Sequence, residues 1–315
     1  MGKSRRGLGA LSAAGLFGTM LVFAAGTSTG AAVTAAPTIS HPPRIPVPPP
    51  GPGGPGAPGA PGVVNTWAAS NWSGYAETGT FTGVTGTWTV PAVAASSSPT
   101  YSSAWVGVDG FNNSNLIQTG TEEDYYNGAA HYNAWWEILP ASETALPGSF
   151  AVAPGDRMKA SIYETSTVSG GGGPGGPGGP GHKAGVGGTA QHVWVITIGD
   201  ATRGWSFSTN QAYNGAGSSA EWVMEAPEVG GRIATLAHYT VNPPSGTGDF
   251  DNTGVLTSIA STGSPVYTGA GLNYQKDAGV MIQNNAQVST PGNPDTALTA
   301  FNAAYGSALP PTPSG

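Results

Sequence analysis

The sequence predicts an all-β protein, a sandwich or a barrel built from many short strands. Two observations carry this expectation. Between residues 63 and 285, short apolar or alternating runs recur, and Gly, Asn, Pro and Asp punctuate them. Many short strands with frequent turn signals fit a sandwich or barrel. Second, no amphipathic helical pattern of useful length precedes residue 296; only 295–305 has that spacing. The predicted strands include 86–90, 103–108, 131–138, 157–163, 193–198, 220–224 and 233–239.

Taken in chain order, the first feature is a basic start, Lys3, Arg5 and Arg6, followed by an apolar run over 8–25. With Val33-Thr34-Ala35 as a small-x-small cleavage site, residues 1–35 read as a secretory signal peptide. The competing reading is a membrane anchor, since the run is near the minimum spanning length. Its Gly and Ala content favours removal, so a secreted, extracellular protein free of the membrane is expected; it is also expected to be a monomer. Residues 36–64 are dominated by Pro and Gly and form no core, so they are expected to be a linker or pro-segment. The folded domain is expected over 65–285. It contains a Gly/Pro-rich insert at 170–181, read as an overgrown hairpin loop between two strands. Residues 286–315 are expected to be a C-terminal tail.

Composition narrows the function. The chain has 51 Gly, 28 Pro and no Cys, which excludes disulfides and thiolate metal sites. Four of its ten basic residues lie in the first 44 positions, where no acid lies, leaving six against 17 acidic residues. Such a chain is a poor partner for nucleic acid and suits an acidic medium, where carboxylates are neutral and self-repulsion falls. His41, His131, His182, His192 and His238 show no ligand spacing, so neither a metal nor another cofactor is expected.

What remains is carboxylates and aromatics on strands. The stretch 104–120 holds two apolar runs separated by Gly110 and the polar cluster 112–115, the pattern of two strands and a loop. Alternation puts Trp105, Gly107 and Asp109 on one face and Val106 and Val108 on the other. In 220–225, Ala220, Trp222 and Met224 form a core face, and Glu221, Val223 and Glu225 the opposite one. In 131–138, His131, Asn133, Trp135 and Glu137 share the polar side. Several strands thus place a Trp with an acid or amide on one face, as a sheet would to build a groove for an extended polymer. Two readings stay open on these residues: a hydrolase with a carboxylate general base, or a carbohydrate-binding or glycoside-hydrolysing sandwich with a Trp-lined groove.

Six spaced motifs sharpen this: Asn71-Trp-Ser-Gly-Tyr75, Thr87-Trp-Thr-Val-Pro91, Ser103-Ala-Trp-Val-Gly-Val-Asp-Gly110, Leu116-Ile-Gln-Thr-Gly120, Ala134-Trp-Trp-Glu137 and Ala220-Glu-Trp-Val-Met-Glu225. In this order, over about residues 65–285, the chain resembles the glutamic peptidases, or eqolisins. The resemblance implies a concanavalin-like β-sandwich of two large, curved antiparallel sheets. It also implies a secreted acid endopeptidase acting on protein or peptide substrates without a cofactor. Gln118 and Glu221 match the family's catalytic Gln and Glu, and Trp105, Asp109, Glu122, Trp135 and Glu137 are candidates for supporting or substrate-binding roles. This chain departs from fungal members in lacking their cysteines and in carrying Glu122 where they have Asp. With the signal-plus-linker layout, the missing cysteines point to a bacterial member.

The implied chemistry is consistent with the residue types. A carboxylate at 221 takes a proton from water, and the neutral amide of Gln118 holds that water and stabilises the oxyanion. The cluster Glu122, Glu123 and Asp124 is expected to charge up near neutral pH and to raise repulsion in the groove.

Overall fold

The structure, a computed structural model, describes residues 36–48, 66–170, 188–240, 249–260 and 264–314. The expected signal peptide and the body of the Gly/Pro insert lie outside the described residues. Pro37–Gly315 is one unit, and the description concerns that unit.

Its strands in chain order are β1 (Ile39–Ser40), β2 (Trp67–Ala69), β3 (Trp72–Thr78), β4 (Gly83–Thr89), β5 (Ser103–Val108) and β6 (Ile117–Tyr126). There follow β7 (Ala129–Ile138), β8 (Thr144–Ala145), β9 (Arg157–Gly170), β10 (Gly188–Asp200), β11 (Trp205–Ala212) and β12 (Ser219–Glu225). The last are β13 (Glu228–Val229), β14 (Arg232–Ile233), β15 (Phe250–Leu256), β16 (Thr268–Gly269), β17 (Ala278–Gln283), β18 (Ala286–Pro291) and β19 (Ala303–Tyr305).

Two large sheets dominate. One has the order β19-β18-β17-β3-β12-β5-β6-β7-β8, with β2 added beside β17; the other runs β11-β10-β9-β4-β15-β16. Apart from the parallel β2–β17 pair, their pairings are antiparallel. The all-β sandwich reading holds. Between the sheets lie Val106, Val108, Ile117, Trp222 and Met224 from one and Val84, Trp88, Met158, Ile162 and Ile196 from the other. Two indoles bridge the layers with their only polar atoms satisfied: Trp222 donates to the Thr85 carbonyl (2.9 Å) and Trp88 to Thr121 Oγ1 (2.9 Å).

Burial follows position in the sheets. The edge strand β11 alternates half-buried and exposed residues. The central strands β5 and β12 are buried at every residue, so both their faces are covered. One face meets the other sheet. The opposite face carries a second apolar cluster of Trp67, Trp72, Trp105, Leu116, Trp135 and Val223. Trp72, fully buried, belongs to this second face.

Three expectations are corrected. Residues 286–315 are not a detached tail, because β18 and β19 extend the larger sheet and Phe301 stacks on Phe250. Residues 295–305 form no helix. The Asp295 carboxylate accepts the N–H groups of Thr299 and Ala300, and Leu298 takes a left-handed φ of 58°, which together make a turn. The 233–239 run supplies the end of β14 and then isolated bridges at Leu236 and Tyr239, not a strand. The insert does join a hairpin, since β9 and β10 pair antiparallel with Gly170 opposite Gly188.

Candidate active site

The register of four neighbouring strands assembles the site. Glu221 on β12 lies opposite Gly107 on β5, Gly107 opposite Gln118 on β6, and Gln118 opposite Glu137 on β7. Opposed residues project to the same face, so one row carries Glu221, an empty position, Gln118 and Glu137. Two strand spacings, about 9–10 Å, separate the backbones at Gln118 and Glu221. Gly107 adds no side chain of its own between them, and the Trp105 ring and the Leu116 side chain pack close over it. A Cβ there would meet the Trp105 ring at 2.9 Å and the Ile117 carbonyl oxygen at 3.2 Å.

Residues 39–48 cross this face. The Gln118 amide donates to the backbone carbonyl of His41 (2.8 Å) and to Glu137 Oε2 (2.7 Å). Glu137 also accepts from the His41 N–H (3.0 Å) and the Ser40 hydroxyl (3.1 Å). The His41 ring stacks on Trp135 with centroids 3.7 Å apart and planes 5° from parallel. Its Nδ1 meets Glu225 Oε2 at 3.0 Å, and its Nε2 lies 2.9 Å from Glu122 Oε1 and 3.3 Å from Glu143. Glu225 is held in turn by the indole N–H groups of Trp105 (2.7 Å) and Trp72 (3.1 Å). Downstream, Asn71 donates to the carbonyls of Pro42 (3.3 Å) and Pro43 (3.1 Å) and accepts the Ile45 N–H (2.8 Å).

Several buried acceptors on this face lack a well-formed hydrogen bond, among them Gln118 Oε1, both oxygens of Glu221 and those of Glu122, of which Glu122 Oε1 instead pairs with His41. Burial pushes the Glu221 carboxyl well above the ordinary carboxyl value; the nearby Ser219 hydroxyl opposes the shift and the Asp109 charge adds to it. Burial likewise raises Glu137 to about 7, against the pull of His41. For His41, burial favours the neutral ring, but the carboxylates around it, Glu122 foremost, outweigh that and raise its pKa. His41, Glu122 and Glu143 bring ligand atoms within 4.8 Å of one another. The direct 2.9 Å contact between His41 Nε2 and Glu122 Oε1 is that of an ion pair.

The residues singled out in the sequence therefore divide. Gln118, Glu221, Glu137, Trp135, Glu122 and Trp105 share one face. Asp109 does not touch Gln118. It is a buried turn residue with φ 72° whose carboxylate accepts from Asn113, Tyr213, Gly217 and Ser218, fixing the approach to β12. Burial alone would raise its pKa, but these bonds hold it below the usual range. Glu123, next to Glu122, points the other way and accepts from Thr121 between the sheets. Sequence reasoning assigned no role to His41, Glu143, Glu225 or Asn71. A usable signal existed for His41: with Arg44 it is a basic residue in an acid-free stretch of an otherwise acidic chain.

Comparison with known proteins bears on family and fold. Residues 70–171 match the model described as the Peptidase A4 family. Aspergillopepsin-2 of Aspergillus niger is 28% identical over 196 residues, covering 54% of this chain and 61% of that protein. Scytalidopepsin B of Scytalidium lignicola is 36% identical over 103 residues, 32% of this chain and 38% of that protein. The chain thus spans less than two thirds of the length of either curated relative. The crystal structure of scytalido-glutamic peptidase with a transition state analog inhibitor aligns with a TM-score of 0.51 at 20% identity, over 75% of this chain and 98% of that one, a likeness of fold. Residues 70–171 are thus similar to the Peptidase A4 family, and the fold of the chain to that of a glutamic peptidase.

Proposed function

We propose that the chain is a secreted acid endopeptidase that hydrolyses peptide bonds with Gln118 and Glu221 and one activated water. The observation that carries this reading is the 2.8 Å bond from the Gln118 amide to a peptide carbonyl, while Gln118 Oε1 and the Glu221 carboxylate, two strands away in the same row, lack a well-formed hydrogen bond. An amide donor aimed at a carbonyl is what a developing oxyanion needs. The vacant Oε1 can accept a hydrogen from water, and an ionised Glu221 can take that water's other proton. Glu221 then returns the proton to the leaving amine, so no covalent intermediate is required.

On this reading residues 39–48 act as a pro-segment seated in the groove. The bond laid across Gln118 is His41–Pro42, whose nitrogen carries no hydrogen and whose ring crowds the approach. Burial of Glu221 raises its pKa well above the ordinary carboxyl value and so disfavours the ionised form that a base needs.

One experiment tests both parts: digestion of casein or denatured globin at pH 2–6 by the full chain and its Glu221→Gln, Gln118→Ala and His41→Ala variants. The first two are expected to lose about 10²–10⁴-fold in rate. His41→Ala is expected to digest without the lag of the parent. Full activity in both Glu221→Gln and Gln118→Ala would remove the pair from the mechanism.

A further inference from the structure

The segment that fills the groove also shows where a side chain beyond the cleaved bond is read. If the carbonyl on Gln118 marks the bond to be cut, His41 precedes it, and Arg44 is the third residue past it. Arg44 is the best-held side chain downstream. Its guanidinium carbon stands 4.2 Å from the centroid of the Phe111 ring and 5.9 Å from that of Trp67. Phe111 and Trp67 meet edge to face, with centroids 5.4 Å apart, so the two rings make a corner. Arg44 Nε donates to the Phe111 carbonyl (3.0 Å) and Nη2 to Asn112 Oδ1 (3.4 Å), while the Arg44 N–H donates to the Gly110 carbonyl (3.1 Å). Among the described residues no carboxylate pairs with Arg44, so this is a recognition of shape and π-face, not of charge alone.

We infer that the corner between Phe111 and Trp67 is an arginine subsite, selecting substrates with a guanidinium three residues past the cleaved bond. The inference rests on the peptidase reading above. The catalytic row does not need these rings: Phe111 and Asn112 lie in the loop between β5 and β6, beyond Gly110, and Trp67 on β2. Beside the corner, Phe111, Asn112 and Ser114 line an open recess of about 360 Å³ together with Pro43 and Arg44 itself, so the Arg44 side chain lies at the edge of accessible space. Arginine is favoured over lysine because the planar guanidinium can lie on Phe111 while its Nε reaches the Phe111 carbonyl; a point-like ammonium cannot do both.

Two measurements on the full chain test this. In Arg44→Ala the corner is vacated, and N-acetyl-arginine amide should bind and perturb tryptophan fluorescence, whereas the parent chain, its corner filled, should not respond. The citrulline analogue, equal in shape but uncharged, should bind about tenfold more weakly, and Arg44→Ala/Phe111→Leu should lose that difference. Equal binding of the two amides to Arg44→Ala overturns the subsite. The second measurement uses acid-incubated chain and peptides differing only at the third residue past the cut. Arginine should exceed citrulline about tenfold in kcat/KM, and Phe111→Leu should collapse that ratio. Equal rates in the parent overturn the selectivity while leaving the peptidase reading in place. Failure to cut any peptide or casein overturns the peptidase reading, and the selectivity with it.

Discussion

Gly107 places a hydrogen atom where any other residue would put a side chain between Gln118 and Glu221. Its neighbours leave no slack, with the Trp105 ring and the Ile117 carbonyl already at the limit for an added Cβ. Gly107→Ala is therefore expected to keep the β-sheet circular dichroism of the parent while kcat/KM falls at least tenfold, since small displacements of reacting groups are costly. A variant with parental kcat/KM would show that the gap is not the reaction space. At this scale the sequence was informative about partners and silent about distances. Alternation put Trp105 and Glu137 each with polar neighbours on one side of its own strand, yet Gln118 stood out only through the match to Ala220-Glu221-Trp222. Glu225 was visible on the same face as Glu221, but nothing in strand period marks a carboxylate that two indole N–H groups and an imidazole converge on.

At the scale of the element, β6 carries an unusual load. Glu122 faces the groove, Glu123 faces the space between the sheets, and both are fully buried. Burial raises Glu123 well above the ordinary carboxyl value, with the Thr121 hydrogen bond opposing and Glu122 adding to the shift. The acidic trio is thus not a single patch beside Gln118, as its sequence suggests, but is divided between the two faces of the strand. Glu123→Gln removes a charge that the sandwich interior must otherwise accept. Its melting temperature is expected to exceed the parent's by about 2–4 °C at pH 7.5 and to match it at pH 4, where the native side chain is neutral. Calorimetry at the two pH values checks this; a loss of stability at pH 7.5 would contradict it. The strands themselves were legible because period-two alternation is a local signal. The segment 39–48 was not, because Pro-rich chain has no period and its partners lie as much as 184 residues away.

For the molecule as a whole, the direction of the shifts sets the pH range of stability. Burial raises Glu77, Glu137 and Asp249 each to about 7, with Asp277 adding to the shift at Glu77, His41 opposing it at Glu137 and the Ala303 N–H opposing it at Asp249. A carboxyl whose folded value lies above its unfolded one favours the fold while neutral, below the unfolded value. That contribution is lost as pH rises through the folded value. The melting temperature is accordingly expected to be highest near pH 4 and to fall steadily between about pH 4.5 and 7, followed by calorimetry across that range. A maximum at or above pH 7 would mean that these carboxyls are not desolvated in solution. The acid medium inferred from a surplus of carboxylates thus has a second cause that composition does not reveal: several of them are buried.

The bond from Gln118 to His41 has one more consequence, which concerns concentration. Residues 49–65 tie the seated segment to the domain as one covalent chain. A tethered ligand of this kind acts at an effective concentration on the order of millimolar, whatever the dilution of the protein. One cut within those residues leaves the contacts intact at first but makes the segment a separate peptide, present only at the concentration of the protein itself. A segment of modest intrinsic affinity would hold in the uncut chain and drift away from the cut one, more completely the more dilute the medium. On the proposed reading, the chain would stay silent where it is concentrated and become active where it is dispersed.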